Sequence, residues 1–151
     1  MGTGRCDWQR GWPSSPATPT TRVEAERPAV ATIGTLSADD LSSAPFECDC
    51  EFYRGRVDGS TVVFATREHR TLGLAKIEGE TVRLRLVAKS GDAGCRKGAR
   101  FSERWSDGSG SIDLQGVATS SGTEACWFRV RMTVRRSKGV ETIPVTGSCG
   151  C

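Results

Sequence analysis

The cysteine pattern limits what this 151-residue chain can fold into more than any other feature. The doublet Cys-x-Cys occurs at Cys48/Cys50 and again at Cys149/Cys151, about a hundred residues later. In a β-strand, residues i and i+2 lie on one face, so each doublet presents both thiols to the same side. Opposed Cα atoms of antiparallel neighbours are about 4.5–5.5 Å apart, which a disulfide accepts. The pattern therefore predicts the bridges Cys48–Cys151 and Cys50–Cys149, with the first and last strands adjacent.

The segments between the doublets have the period of β-strands. Residues 46–53 (FECDCEFY) and 125–136 (ACWFRVRMTVRR) both alternate between apolar and polar side chains, which is typical of half-buried strands. About eight strands are predicted, over residues 46–53, 60–66, 71–77, 81–88, 99–105, 111–118, 125–136 and 140–151. Short connections favour antiparallel pairing, since parallel pairs need long crossovers. The predicted fold class is all-β, a small antiparallel barrel or sandwich.

The N-terminal part differs in composition from the rest. Residues 1–35 are rich in Pro, Ser, Thr and Ala, which predicts a disordered leader or linker. Residues 36–151 are expected to form one all-β domain. Within it, Ser37 is positioned to cap one short helical turn before the first strand.

Two further cysteines of the folded region, Cys95 and Cys126, are expected to pair, leaving Cys6 as an odd thiol.

Two alternatives to the doublet disulfides stay open. Four thiolates at Cys48, Cys50, Cys149 and Cys151 could bind zinc, although the usual zinc spacing is Cys-x2–4-Cys. One bridge with two free thiols could instead serve as a redox pair.

The compartment follows from the cysteine chemistry. Three disulfides would place the protein in an oxidising environment, periplasmic or secreted. Residues 1–35 lack the apolar core of a signal peptide, so a cytoplasmic location is the alternative, or the precursor extends further. No run approaches the roughly 18 apolar residues of a transmembrane helix.

Catalytic motifs are lacking. His69 is the only histidine and lies in a polar stretch, TREHRTLG, where a solvated side chain is typical. The sequence has no Gly-x-Ser-x-Gly elbow, phosphate-binding loop or His-Glu-x-x-His motif. The stretch DGSGSID departs from an acidic calcium loop and predicts a hairpin turn. We therefore expect a protein that is not an enzyme and has no cofactor.

Basic side chains supply the main candidate for binding. Alternate positions of two predicted strands carry arginine, which would form a cationic face if the strands were neighbours. The candidate anion-binding residues are Arg83, Arg85, Arg129, Arg131 and Arg135. The alternative is an ordinary polar face with Arg/Glu cross-strand pairs. The partner is not identified; another envelope protein or an anionic polymer would suit such a face.

The segment GARFSERWSDGSGSIDL, from Gly98 to Leu114, resembles part of the MliC/PliC family of bacterial lysozyme inhibitors. The resemblance implies a small, secreted, disulfide-bonded antiparallel β-barrel. It also implies inhibitor-like contacts at Gly98, Ala99, Arg100 and Phe101. The function expected from the sequence is a non-catalytic, extracytoplasmic, disulfide-stabilised binding or structural module. A lysozyme-inhibitor-like protein and a cytosolic zinc domain with four cysteine ligands are the alternatives.

Overall fold

The computed structural model describes residues 31–55, 61–91, 95–120 and 125–151. One short helix, α1, spans Ala38–Leu41. The strands are β1 (Ile33–Gly34), β2 (Asp49–Arg54), β3 (Val62–Arg67), β4 (Leu72–Ile77), β5 (Glu80–Gly91), β6 (Arg100–Ser106), β7 (Ser111–Ala118), β8 (Ala125–Arg136) and β9 (Gly139–Gly150). Within these ranges, no helix has the length and apolar character needed to cross a membrane.

Strands β2 to β9 close into an antiparallel barrel of eight strands. The order around the barrel is β4-β3-β2-β9-β8-β7-β6-β5, and β5 pairs with β4 to complete the circle. The first and last barrel strands are adjacent, with Cys50 opposite Cys149. The predicted all-β class, barrel form and adjacency of the terminal strands are confirmed. Strand β1 is bonded outside the circle, to the end of β4.

The barrel interior is filled from alternate positions of its strands. Trp105 and Phe64 are fully buried, with ring centroids 5.5 Å apart in an edge arrangement. Glycine at position 116 makes room for another ring, since a Cβ there would lie 2.5 Å from Cε1 of Phe101. A side chain at this position would therefore push the Phe101 ring out of its place in the core.

A second apolar cluster lies outside the barrel, over β2, β3 and β4. Leu36 and Ala44, from the segment around α1, cover Tyr53, Leu72 and Leu74. Strands β3 and β4 are therefore buried on both faces, and they lack the alternation that the half-buried strands show. This cover explains why a stretch as apolar as VVFAT does not face solvent.

The ordered part of the chain begins before residue 36, earlier than predicted. Residues 31–35 were predicted to belong to the disordered leader, yet Ile33 is 5 % exposed and packs with the barrel core. The Ile33 carbonyl also accepts a hydrogen bond of 3.0 Å from Arg54. The first barrel strand begins at Asp49 rather than residue 46, and Phe46 is 49 % exposed instead of facing the core. Residues 1–30 of the predicted leader lie outside the described part of the chain.

The predicted helical turn is present and is capped at Ser37. The Ser37 hydroxyl accepts from the Asp40 N–H at 3.0 Å, and the Asp40 carboxylate accepts from the Ser37 N–H at 2.8 Å. This reciprocal capping box satisfies two donors that the helix leaves free. Asp40 also reaches Lys76 of β4 at 3.0 Å. The donors from Ser37, Thr81 and Lys76 hold the pKa of Asp40 well below its usual range, so the helix is fixed to the barrel by an ionised carboxylate.

The β6–β7 turn yields a prediction on pH dependence. The Asp107 carboxylate accepts from the N–H groups of Ser109 and Gly110, each at 3.0 Å, and from Arg136 at 2.8 Å. Desolvation opposes ionisation, but the hydrogen bonds from Arg136 and Ser109 outweigh it and lower the pKa of Asp107 to about 2. A carboxyl whose pKa falls on folding stabilises the protein above about pH 4, and the contribution disappears as the pH drops through about 2.

We expect Asp107→Asn to lower the free energy of unfolding at pH 7 by about 1 kcal/mol, a figure discounted for solvent screening. The difference between variant and parent should shrink between about pH 4 and pH 2. Urea unfolding at several pH values measures it. A difference that does not change with pH would show that the turn is held by geometry alone.

Candidate functional site

All three predicted disulfides are present, and they lie at one end of the barrel. The Cα atoms of Cys48 and Cys151 are 4.1 Å apart, and those of Cys50 and Cys149 are 4.0 Å apart. The third bridge joins Cys95, at the approach to β6, to Cys126 on β8, with Cα atoms 5.1 Å apart. We call this the disulfide end. The expected disulfide pairing is therefore confirmed.

The zinc alternative is not what the structure shows. Because the four doublet cysteines are joined in two disulfides, they offer no thiolate pair for a metal ion. Over residues 31–55, 61–91, 95–120 and 125–151, no group of three or more His, Cys, Asp or Glu side chains is arranged to hold a metal. The four cysteines considered as zinc ligands instead close the barrel as disulfides.

A shallow groove of about 700 Å³ crosses the outer surface of β5 to β9. Three arginine side chains lie along it: Arg100 on β6, and Arg129 and Arg131 on β8. The groove also has apolar and uncharged polar walls, and its other residues are Ser90, Gly91, Phe101, Ser102, Gln115, Gly116, Val117, Val130, Thr142, Ile143 and Pro144. We call this surface the cationic groove.

Strand register brings the three arginines together. Val117 of β7 is paired with Arg100 on one side and with Arg129 on the other. Neighbouring strands are about 4.8 Å apart, so the Cα atoms of these two arginines are about 10 Å apart across β7. Arg131 follows Arg129 on the same face, about 7 Å along the strand. Three guanidinium groups therefore border one strip of surface.

The arginines of the groove have no anionic partner among the described residues. Arg100, Arg129 and Arg131 are exposed, and none forms an ion pair or side-chain hydrogen bond with residues in the described ranges. Four other outward-facing arginines, Arg85, Arg104, Arg135 and Arg136, do have carboxylate partners. Asp113 binds Arg104 at 2.7 Å and Arg135 at 3.6 Å. The hydrogen bond from Arg104 is the main reason that the pKa of Asp113 is lowered.

The five arginines predicted to bind anions do not all lie on one surface. Arg129 and Arg131 lie in the cationic groove, whereas Arg135 lies beyond it and is paired with Asp113. Arg83 and Arg85 belong to β5, which β6 and β7 separate from β8. The expectation of one shared cationic face was therefore wrong for these two, because the strands that carry them are not neighbours.

Arg100 is the groove residue whose role sequence reasoning assigned differently. It was predicted as an inhibitor-like contact together with Gly98, Ala99 and Phe101. In the structure Gly98 is exposed in a turn with φ +88°, whereas Phe101 is 6 % exposed and packs inside the barrel against Phe128. The Phe101 ring thus packs in the core, although the residue also borders the groove, and it offers little side-chain surface for a contact. Placing Arg100 beside Arg129 requires the order β6-β7-β8, which follows from the short hairpin connections.

A buried polar network lies at the disulfide end, between β2 and the β3–β4 turn. The fully buried Asp49 carboxylate accepts from the N–H groups of Glu47 and Arg70, each at 2.7 Å, and from Thr66 at 3.1 Å. Arg70 extends inward to Glu103, 2.6 Å away. Three consecutive non-glycine residues of the turn, Glu68 to Arg70, have positive φ values between 55° and 65°. Backbone of this kind persists only where its surroundings fix it, as these bonds do.

His69 lies at the tip of this turn. Its side chain is 68 % exposed, and Nε2 is 3.5 Å from a carboxylate oxygen of Glu47. Both groups face solvent rather than a cleft. The expectation that the protein is not an enzyme stays a prediction.

Comparisons with models of protein families, with curated proteins and with solved structures found no match to this chain. The resemblance to lysozyme inhibitors therefore stays a prediction.

Proposed function

We propose that this protein is a non-catalytic, extracytoplasmic binding module whose cationic groove binds an anionic polymer. One observation carries the proposal: three exposed arginines border one groove and have no carboxylate partner among the described residues. Elsewhere on the same barrel, Asp113, Glu68 and Asp107 neutralise outward-facing arginines. The groove thus differs in charge from the surfaces around it.

Concentrated positive charge in a concave surface favours anions. Arg129 and Arg131 lie on one strand face, so their mutual repulsion is relieved when a polyanion binds to both. Guanidinium groups bind carboxylate, sulfate and phosphate in a bidentate manner. Because the groove is open along several strands, a linear polymer suits it better than a compact small molecule.

The disulfides support the proposed location. Three bridges in one domain indicate an oxidising compartment, since cytosolic proteins keep their thiols reduced. A periplasmic or secreted domain would meet envelope and extracellular polymers, many of which are anionic. The closed, disulfide-bonded barrel carries the groove on paired strands rather than on loops.

A pair of double variants tests the proposal at matched net charge. R129Q/R131Q removes two arginines of the groove, and R83Q/R85Q removes two exposed arginines with the same i, i+2 spacing on β5. We expect R129Q/R131Q to weaken binding to dextran sulfate by at least about tenfold, because two charge-assisted contacts are lost. By comparison, R83Q/R85Q should weaken binding to dextran sulfate by less than about threefold, because it lowers the net charge without removing a groove contact. Isothermal titration calorimetry at low salt gives the affinity of each double variant for dextran sulfate.

Two outcomes would contradict the proposed function. Equal losses in both double variants would mean that only net charge matters, and a parent protein that binds no polyanion at low salt would leave the groove without a ligand of this class. Thermal unfolding of each variant controls for folding. Neither should lose more than about 1 kcal/mol, since exposed charges contribute little to stability.

A further inference from the structure

We infer that the polymer bound by the cationic groove is an acidic polysaccharide and that Trp127 is the platform for one of its sugar rings. The inference rests on the proposed function and names its ligand class. It adds one residue that lies outside the groove as described above. It also assigns a role to the uncharged polar side chains between the arginines.

Trp127 is an exposed aromatic residue in line with the arginines. Its exposed fraction is 38 %, although large aromatic side chains are usually well buried. It lies on the outer face of β8, two residues before Arg129, so its Cα atom is about 7 Å from that of Arg129. Trp127, Arg129 and Arg131 thus form one continuous row along the strand.

The backbone that carries Trp127 is firmly held. Its carbonyl accepts a hydrogen bond of 2.8 Å from the N–H of Thr119, and β9 pairs with it at Ser148. The adjacent Cys126 is bridged to Cys95. An indole carried on such a backbone, next to a cation, is suited to a ligand that has an apolar face and an anionic edge, since the ring system is planar and amphipathic.

The groove walls between the charges are rich in hydroxyl and amide groups. The hydroxyls of Ser90 and Ser102 are 2.8 Å apart across β5 and β6, and that of Thr142 is 3.0 Å from that of Thr133. Gln115 lies at the centre, paired with Ser102 on one side and Arg131 on the other. Its amide forms no side-chain hydrogen bond within the described ranges. Such groups both donate and accept, as sugar hydroxyls do.

These features favour a polysaccharide over a nucleic acid. Single-stranded nucleic acids are bound on several aromatic rings that stack successive bases, whereas Trp127 is the one exposed ring in this row. The disulfides also indicate an oxidising compartment rather than the cytosol, where most nucleic acid is found. A polymer with one carboxylate or sulfate per sugar unit would meet the arginines in series and the ring of Trp127 at one end.

Four probes separate the ring contact from the charge contact. Polygalacturonate carries sugar rings with carboxylates, dextran sulfate carries sugar rings with sulfates, polyphosphate has charge without rings, and single-stranded DNA has bases. We expect Trp127→Ala to weaken polygalacturonate binding by about fivefold to tenfold and to leave polyphosphate binding unchanged. Trp127→Phe should restore most of the loss. Phe46→Ala removes another exposed aromatic ring, which lies before β2 and packs against Arg67 instead of a groove arginine, so it should have no effect on any probe.

The outcomes separate this inference from the proposed function. If polyphosphate and polygalacturonate bind equally, and Trp127→Ala changes neither, the ligand class is wrong while the groove stands. Tighter binding of DNA that depends on Trp127 would assign the groove to nucleic acid instead. If only dextran sulfate responds to Trp127→Ala, the inference holds and the acid group is sulfate. Loss of the difference between R129Q/R131Q and R83Q/R85Q would overturn the proposed function itself.

Discussion

Removing both bridges between β2 and β9 should lower the free energy of unfolding by about 4–5 kcal/mol. The bridges Cys48–Cys151 and Cys50–Cys149 close nearly the same loop, with sequence separations of 103 and 99 residues. In the chain-entropy model, one such bridge restricts the unfolded chain by about 4.7 kcal/mol, and a second bridge around the same loop adds little. The two effects should therefore be strongly non-additive.

The single removals are the control for this prediction. C48S/C151S acts on cysteines at the exposed rim, and C50A/C149A acts on a bridge that is buried at Cys50. We expect about 1 kcal/mol from the first and about 2 kcal/mol from the second, which also leaves a small cavity. Guanidinium unfolding of the three variants measures the coupling. Strict additivity would show that the bridges act by local packing rather than by constraining the unfolded chain.

The sequence predicts this part of the fold well because the relevant physics is local. A Cys-x-Cys doublet in a strand points to one side, and two such doublets can pair only if their strands are neighbours. The strand boundaries of β7 and β8 match the predicted residues 111–118 and 125–136. Polar turns such as SDGSG mark hairpins through Gly and Asp. Pairing and turn chemistry therefore fix most of the barrel.

The covered outer face was not predictable in the same way. The apolar residues of 31–45 do not recur with the period of a helix or a strand. Their position over β3 and β4 is set by tertiary packing against the apolar outer face of these strands. The apolar run of β3 gave a signal, since half-buried strands alternate and this one does not. The identity of the covering segment is a long-range property, set by tertiary packing rather than by local preference.

The cationic groove was predicted in part for a related reason. Alternation on β8 correctly indicated that Arg129 and Arg131 face outward together. Which arginines of other strands join them depends on strand order. The strand order β5-β6-β7-β8 brings Arg100 of β6 to within one strand of them. It leaves Arg83 and Arg85 of β5 separated from β8 by two strands. The sequence thus predicts which charged side chains share a face within one strand. Which charged side chains of different strands lie together can be predicted only when the strand order is known.

Glu103→Leu should be the most destabilising single substitution proposed for this protein, at about 3 kcal/mol. Glu103 faces the barrel interior on β6, and its side chain is 5 % exposed. One carboxylate oxygen accepts from the indole N–H of the fully buried Trp105 at 3.1 Å, and the other is 2.6 Å from Arg70. Leucine fills the volume but leaves the indole N–H without an acceptor, which costs about 1–3 kcal/mol. The substitution also leaves the partly buried Arg70 guanidinium without its carboxylate partner. It removes an ion pair that helps to hold the turn with positive φ values.

Two variants separate these contributions. Glu103→Gln keeps an acceptor for Trp105 and loses only the charge, so we expect about half of the loss, because Arg70 is 27 % exposed and can be rehydrated. Arg104→Gln, at the next position of the same strand, breaks a surface ion pair with Asp113 and should cost less than about 1 kcal/mol. Urea unfolding followed by tryptophan fluorescence gives the three free energies. If Glu103→Leu were no worse than Arg104→Gln, the buried pair would be replaceable by apolar packing, and the turn from Glu68 to Arg70 would have to be held by Asp49 alone.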